Sequence, residues 1–86
     1  MYLIVSYDVE ASRCNKIKKI MRLYFFHIHN SVFEGEISEA DFKELKNKLD
    51  KHLDHVNDKL LFYILPSSKC LKKESINNLS DINNII

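Results

Sequence analysis

The chain has 86 residues, a formal net charge of +1, 45% hydrophobic and 29% charged residues, and a single glycine and proline. This length allows one domain, and the balance of apolar and charged residues excludes a disordered tail. The short apolar run at the N-terminus is interrupted by Ser6 and Asp8 and has no basic residues before it. We therefore expect no signal peptide, no membrane span and a cytoplasmic protein. Cys14 and Cys70 lie far apart without close Cys or His neighbours, which predicts free thiols in a reducing compartment.

Residues 2–9 form an apolar, β-branched run that ends in a carboxylate. Because side chains alternate along a strand, one face carries Leu3, Val5, Tyr7 and Val9, and the other carries Tyr2, Ile4, Ser6 and Asp8. The first face is apolar and should lie under helices. The second is half apolar, and so short a chain has little to cover it with. A partner sheet is the expected cover, in a homodimer that brings Asp8 close to its symmetry mate.

A basic amphipathic helix is predicted after a short connection over residues 10–13, with Ser12 as its cap. Apolar residues recur at helical spacing: Ile17, Ile20, Met21 and Tyr24. The remaining positions are basic: Lys16, Lys18, Lys19 and Arg22. Residues 1–33 are basic on balance and residues 34–58 acidic, so a phosphate-binding face should centre on this helix. The alternative is a cationic face that only contacts solvent.

Residues 27–37 have extended character, either as one bent strand or as two short strands. Gly35, the only glycine, predicts a bulge, kink or turn there or just before it. His27 and His29 alternate with Ile28, which predicts that both imidazoles lie on the same strand face. They are candidate acids or bases, and the alternative is a pair of interface or surface histidines.

A second amphipathic helix and a last strand follow. Ser38 and Asp41 have the spacing of a capping box. The buried stripe of this helix is predicted to be Phe42, Leu45, Leu49 and Leu53. Residues 60–65 are apolar on both faces, as expected of a strand covered from both sides, and Pro66 ends them.

This order of elements predicts an α+β fold, the ferredoxin-like sandwich βαββαβ. One antiparallel sheet would carry both helices on one face and form the dimer through the other. We assign residues 1–66 to this domain and residues 67–86 to a C-terminal tail that is basic at first and then rich in asparagine. The tail either docks on the partner subunit or is partly disordered.

Several motifs together give the chain a family resemblance. Tyr7-Asp8-Val9 ends the first strand, the first helix contains Arg13 and Asn15-Lys16, and Ser31-Val32-Phe33-Glu34-Gly35-Glu36 precedes the second helix. Over residues 1–66 the chain resembles the small CRISPR-associated adaptation proteins of the Cas-two family. This resemblance implies a ferredoxin-like homodimer in antiviral defence. It also implies a complex with the Cas-one integrase, which inserts new spacers into a CRISPR array.

The same resemblance implies activity on nucleic acids. Members are described as Mg²⁺-dependent nucleases that cut single-stranded RNA or double-stranded DNA. The matching carboxylate, Asp8, would be the metal ligand, and the arginine that follows it would correspond to Arg13. The chain departs from the pattern at Phe25, His27 and His29, where members commonly have Gly, Arg and Gln. A neutral histidine stabilises phosphoryl charge less well than a guanidinium, so this departure affects catalysis more than a scaffolding role.

Two hypotheses follow for the function. In the first, a dimeric scaffold binds duplex prespacer DNA and the Cas-one integrase, with sequence-independent phosphate contacts from Arg13 and the basic helix. In the second, paired Asp8 carboxylates hold Mg²⁺ for phosphodiester hydrolysis, because hard oxygen ligands suit that ion. The alternatives are a toxin-like ribonuclease and a non-catalytic nucleic-acid-binding dimer, since this fold hosts many functions. For Asp8 itself, the structural alternative is a strand-end residue that caps the next segment.

Overall fold

The structure is a computed structural model that describes residues 1–76. It consists of six main elements, followed by a 3-10 turn at Ser68–Cys70. The elements, in chain order, are β1 (Tyr2–Asp8), α1 (Ala11–Arg22), β2 (Phe26–His29), β3 (Val32–Glu36), α2 (Glu39–Asp50) and β4 (Lys59–Leu65). The asparagine-rich end of the predicted tail lies outside the described residues. Within residues 1–76, neither helix is long and apolar enough to cross a membrane.

The four strands form one antiparallel sheet in the order β2-β3-β1-β4. This order and the βαββαβ sequence of elements confirm the predicted ferredoxin-like sandwich. β1 lies in the middle of the sheet, so that Ile4 faces Glu34 on one side and Tyr63 on the other. The start of β4 therefore lies beside the end of β1, with Lys59 opposite Asp8.

The hydrophobic core lies between one sheet face and both helices. Leu3, Val5 and Phe33 of the sheet are fully buried, as the alternation in β1 predicts. The helices contribute Ile17, Met21, Phe42, Leu45 and Leu49 to the same cluster. The opposite sheet face, called the open face here, carries the other side chains of β1, including Ile4 and Asp8.

The two helices begin differently. The side-chain oxygen of Ser38 accepts a hydrogen bond from the backbone N–H of Asp41 at 3.1 Å, which confirms the predicted cap of α2. Helix α1 begins earlier than predicted, with Glu10 at its cap position and no side-chain cap bond. Ser12 is therefore not the cap, because it already lies inside the first turn.

Residues 26–36 form two strands joined by a turn at Asn30, whose φ of 42° is in the left-handed region that asparagine tolerates. The expectation of a bulge, kink or turn at or just before Gly35 was wrong. Gly35 lies inside β3 in regular register with Leu3. Its lack of a side chain matters for packing instead, because an added Cβ would lie 3.2 Å from Cδ1 of Phe25.

Candidate functional site

Asp8 ends β1 on the open face, with its carboxylate exposed. Within residues 1–76, no hydrogen bond or ion pair engages this carboxylate. Its register partner is Lys59 of β4. An exposed carboxylate without a partner is free to bind a cation or to approach a second copy of itself.

Arg13 does not extend toward Asp8. Its Nε and Nη2 donate to the two carboxylate oxygens of Asp58 at 2.6 and 2.8 Å, and Glu10 lies 3.3 Å from Nη2. The side chain of Asp58 is 1% exposed, and the paired guanidinium holds the pKa of this carboxyl well below its usual range. The guanidinium that resemblance places in the catalytic site is thus bound within the fold.

Sequence reasoning missed Asp58, although a signal for it was present. This residue immediately precedes β4, and an antiparallel β1–β4 pair puts the start of β4 beside the end of β1. An acidic residue there can reach the first turn of α1, which follows β1 directly. The predicted topology combined with the charge of Arg13 could have identified the pair.

The basic residues of α1 form a row on its outer side. Lys16, Lys19 and Arg22 are exposed and recur every third residue, opposite the buried Ile17 and Met21. Lys18 is half-buried. In the part of the chain that the structure describes, none of the four forms an ion pair, so their charges are available to an anion.

The two histidines lie on opposite faces of the sheet, so the prediction that they share a face was wrong. The register shifts between them: His27 is opposite Phe33 of the core face, and His29 is opposite Val32 of the open face. A bulge at Ile28 adds a residue to the strand and thereby reverses the alternation. His27 stacks on Phe33, with ring centroids 4.5 Å apart, and its Nε2 donates to the carbonyl oxygen of Asn30 at 2.7 Å.

The described part of the tail contacts the other end of the open face. The buried Glu34 accepts a hydrogen bond from the Tyr2 hydroxyl at 2.5 Å and pairs with Lys73. Burial, and next the bond to Glu34, raise the pKa of Tyr2. A cavity of about 540 Å³ lies here, lined by Tyr2, Phe26, Glu34, Ser68, Lys69, Leu71 and Lys73. It is about 20 Å along β1 from Asp8, and so it is separate from the candidate site.

The donor set limits what this site can hold. Residues 1–76 contain no group of three His, Cys, Asp or Glu side chains that could hold a metal ion. Mg²⁺ needs only one or two protein carboxylates when phosphate oxygens and waters complete its shell. The exposed carboxylate of Asp8 has the oxygen donors of one such ligand. The fold and site thus define a small ferredoxin-like protein with an exposed strand-end carboxylate and a basic helix.

Comparison with known proteins identifies the family. The family model described as "CRISPR associated protein Cas2" matches residues 1–73. The endoribonuclease Cas2 of Pyrococcus furiosus is 43% identical over 67 residues, which cover 78% of this chain and 79% of that protein. The endoribonuclease Cas2 of Methanosarcina acetivorans is 36% identical over 100% of both chains. This chain belongs to the Cas2 family. The resemblance to the Cas-two family, which the sequence motifs indicated, is thereby confirmed.

Solved structures agree with this assignment. A crystal structure of Cas2 superposes with a TM-score of 0.84 at 38% identity, covering 91% of this chain and 87% of that one. The structure of Streptococcus pyogenes Cas2 at pH 6.5 gives a TM-score of 0.74 at 26% identity, covering 87% of this chain and 100% of that one.

Proposed function

We propose that this chain acts in the cytoplasm as a homodimer in CRISPR adaptation, where it holds duplex prespacer DNA and bridges to the Cas-one integrase. The observation that carries the proposal is the exposed row of Lys16, Lys19 and Arg22, which has no carboxylate partner among residues 1–76. Such a row suits the regularly spaced phosphates of a duplex and reads no base sequence. Membership of the Cas2 family supports the proposed role in spacer acquisition.

The open face supports the homodimer. Phe26, Leu61 and Tyr63 lie on it and are 64%, 53% and 52% exposed. Their register partners include Ile4 and Ser6 of β1, so the apolar patch is continuous with the strand that ends at Asp8. Large apolar side chains that cluster on one face mark an interaction surface. A second copy packed there would cover the patch.

Salt-dependent DNA binding tests the scaffold. We expect wild-type protein to bind duplexes of unrelated sequence with similar affinity, and its logarithmic affinity to fall linearly with logarithmic salt concentration. Replacing Lys16, Lys19 and Arg22 with glutamine should reduce that slope by about 0.9 for each phosphate that the protein no longer neutralises. Glutamine at Lys43 and Lys46 of α2 and at Lys51, which follows its last residue, is the matched control and should leave the slope unchanged.

Two results would contradict the scaffold proposal. One is that neither the protein alone nor the protein with its integrase binds DNA at low salt. The other is that the α1 and α2 triple variants lose equal affinity, since binding would then reflect total charge and not the row on α1.

A second candidate function, Mg²⁺-dependent endonuclease activity on RNA or DNA, is favoured by the exposed carboxylate of Asp8. The relatives from P. furiosus and M. acetivorans are both named endoribonucleases. We propose that Asp8 of each copy contributes one ligand oxygen. Mg²⁺ bound there would polarise the scissile phosphate. His29, exposed on the open face, is the better placed of the two histidines to exchange a proton, because His27 donates to Asn30.

Cleavage of labelled single-stranded RNA and duplex DNA tests this candidate. We expect Asp8→Asn to abolish Mg²⁺-dependent cleavage while light scattering shows that the variant keeps the wild-type mass. Glu39→Gln removes an exposed carboxylate from α2 and should leave cleavage unchanged. If the wild type does not cut, or if Asp8→Asn cuts equally well, the nuclease proposal fails. The scaffold proposal stands independently of that result.

A further inference from the structure

Asp58 joins three separate segments of the chain. Its Oδ2 accepts from Nε of Arg13 at 2.6 Å and from the backbone N–H of Asp54 at 2.8 Å. Its Oδ1 accepts from Nη2 of Arg13 at 2.8 Å and from the backbone N–H of Glu10 at 3.2 Å. We call these four hydrogen bonds the Asp58 clamp. They connect the exit of β1, the first turn of α1 and the loop before β4.

The clamp lies next to Asp8 on two sides. Lys59, which follows Asp58, is the register partner of Asp8. Glu10, whose backbone N–H donates to the Asp58 carboxylate, is two residues beyond Asp8 along the chain. The clamp therefore contacts both the strand beside Asp8 and the segment that continues from it.

Helix α1 also forms hydrogen bonds to the segment that follows β1, at Val9 and Glu10. The Cys14 thiol donates to the carbonyl oxygen of Val9 at 3.1 Å, and the backbone N–H of Arg13 donates to the carbonyl oxygen of Glu10 at 2.9 Å. Among these contacts, only the clamp supplies charge-assisted hydrogen bonds, which are the stronger kind. Two hydrogen bonds from the planar guanidinium to the two Asp58 oxygens also fix the orientation of Arg13. The compact ammonium of a lysine would not fix it in this way.

We propose that Asp58 and Arg13 are positioning residues, which hold the backbone after β1 so that the Asp8 carboxylate keeps the orientation that binds a divalent cation. This inference rests on the metal-binding role proposed for Asp8. It also gives Arg13 a different task from the phosphate contact implied by resemblance. Groups that orient a metal ligand typically change metal affinity or activity by about 10- to 100-fold when they are removed.

Nuclear magnetic resonance of the free protein tests the inference without requiring cleavage. Mn²⁺ serves as the probe, because it broadens the amide signals near its binding site. Wild type is compared with Asp58→Asn, which removes the charge, and with Arg13→Lys, which keeps the charge and removes the fork. Glu44→Gln is the matched control, since it breaks an ion pair with Lys48 on α2 and leaves the clamp intact.

We expect both clamp variants to speed hydrogen exchange of the Glu10 amide about tenfold and to raise the Mn²⁺ concentration that broadens the Asp8 signal about tenfold or more. Exchange of the Leu45 and Leu49 amides in the core reports global unfolding. It separates a local effect from general loss of stability. If Asp58→Asn does not fold, Arg13→Lys carries the comparison. Glu44→Gln should match wild type in all these measurements.

Unchanged exchange at Glu10 in the folded variants would overturn the inference. Faster exchange with unchanged Mn²⁺ broadening at Asp8 would overturn it too, because the clamp would then be structural only. If wild-type protein shows no Mn²⁺ effect at Asp8, the proposed metal role fails. The exchange data still decide separately whether the clamp holds the exit of β1.

Discussion

Asp58 carries a buried charge that the fold satisfies completely. Its side chain is 1% exposed, and four hydrogen-bond donors surround its two oxygens. A buried carboxylate is tolerated only with such partners, since an unpaired charge is costly to remove from water. The hydrogen bonds from Arg13 lower the pKa of Asp58 most, and the backbone N–H groups of Asp54 and Glu10 add to the effect.

This lowered pKa predicts how stability responds to acid. An aspartate has a pKa of about 3.9 in the unfolded chain, so between the folded and unfolded values only the unfolded state binds the proton. The contribution of Asp58 is therefore fully present above about pH 4 and is lost as the pH falls toward the folded-state pKa. We expect the free energy of unfolding to fall less steeply between pH 5 and pH 2 in Asp58→Asn than in wild type.

Urea denaturation at a series of pH values measures this difference. Glu39→Gln is the control, because it removes an exposed carboxylate that makes no ion pair within residues 1–76. If the free energy of unfolding falls equally steeply with pH in wild type and Asp58→Asn, the ionised Asp58 does not stabilise the fold as predicted.

Among the elements, the two helices begin with different local chemistry. Helix α2 has a side-chain cap at Ser38, and the first turn of α1 is held instead by long-range hydrogen bonds to Asp58. Ser12 has the residue type of a cap, but its hydroxyl only donates a 3.4 Å hydrogen bond to Glu10.

A pair of serine substitutions tests this difference. Ser38→Ala should lower the free energy of unfolding by about 1 kcal/mol, because the N–H of Asp41 loses its acceptor. Ser12→Ala should change it by less than about 0.5 kcal/mol. Thermal and urea unfolding of both variants measures the effects. Equal losses would show that Ser12 acts as a cap despite its position.

At the scale of the whole molecule, the two faces of the sheet differ in how far the described chain covers them. One face packs against both helices, and the other exposes Phe26, Leu61 and Tyr63. The ion pair of Lys73 with Glu34 brings the described tail over only one end of that open face, near Tyr2. Among residues 1–76, none of these tail contacts reaches the end that carries Asp8.

A charge placed on the open face should therefore prevent dimerisation. We expect light scattering to give a dimer mass for wild type and a monomer mass for Tyr63→Lys at the same concentration, because an uncompensated ammonium would be buried in the interface. Leu23→Lys is the matched control: Leu23 is 71% exposed just after α1 and away from the open face. A dimeric Tyr63→Lys variant, or a monomeric wild type, would contradict the proposed interface.

Much of the fold could be predicted from local patterns. Period-two alternation identified β1 and its buried face, helical spacing identified both helices, and Ser38 identified the start of α2. These features depend on residues near one another in the chain, so a single sequence contains them. The family motifs around Asp8 and Ser31 could be recognised for the same reason.

The candidate site could be predicted only in part. Asp8 and the basic residues of α1 are where the patterns place them. However, the partner of Arg13 lies 45 residues away, and strand pairing alone brings Asp58 to it. The faces of His27 and His29 depend on one extra residue in a bulge, and one residue of register reverses a side chain's direction.

The sequence by itself therefore determined both helices, β1 with its buried face and the family, because short-range periodicity and motifs encode them. Only the tertiary structure decided that Arg13 binds Asp58, that the two histidines separate and that Lys73 reaches Glu34. Each of these outcomes depends on contacts between distant segments, and those contacts exist only once the sheet has formed its register.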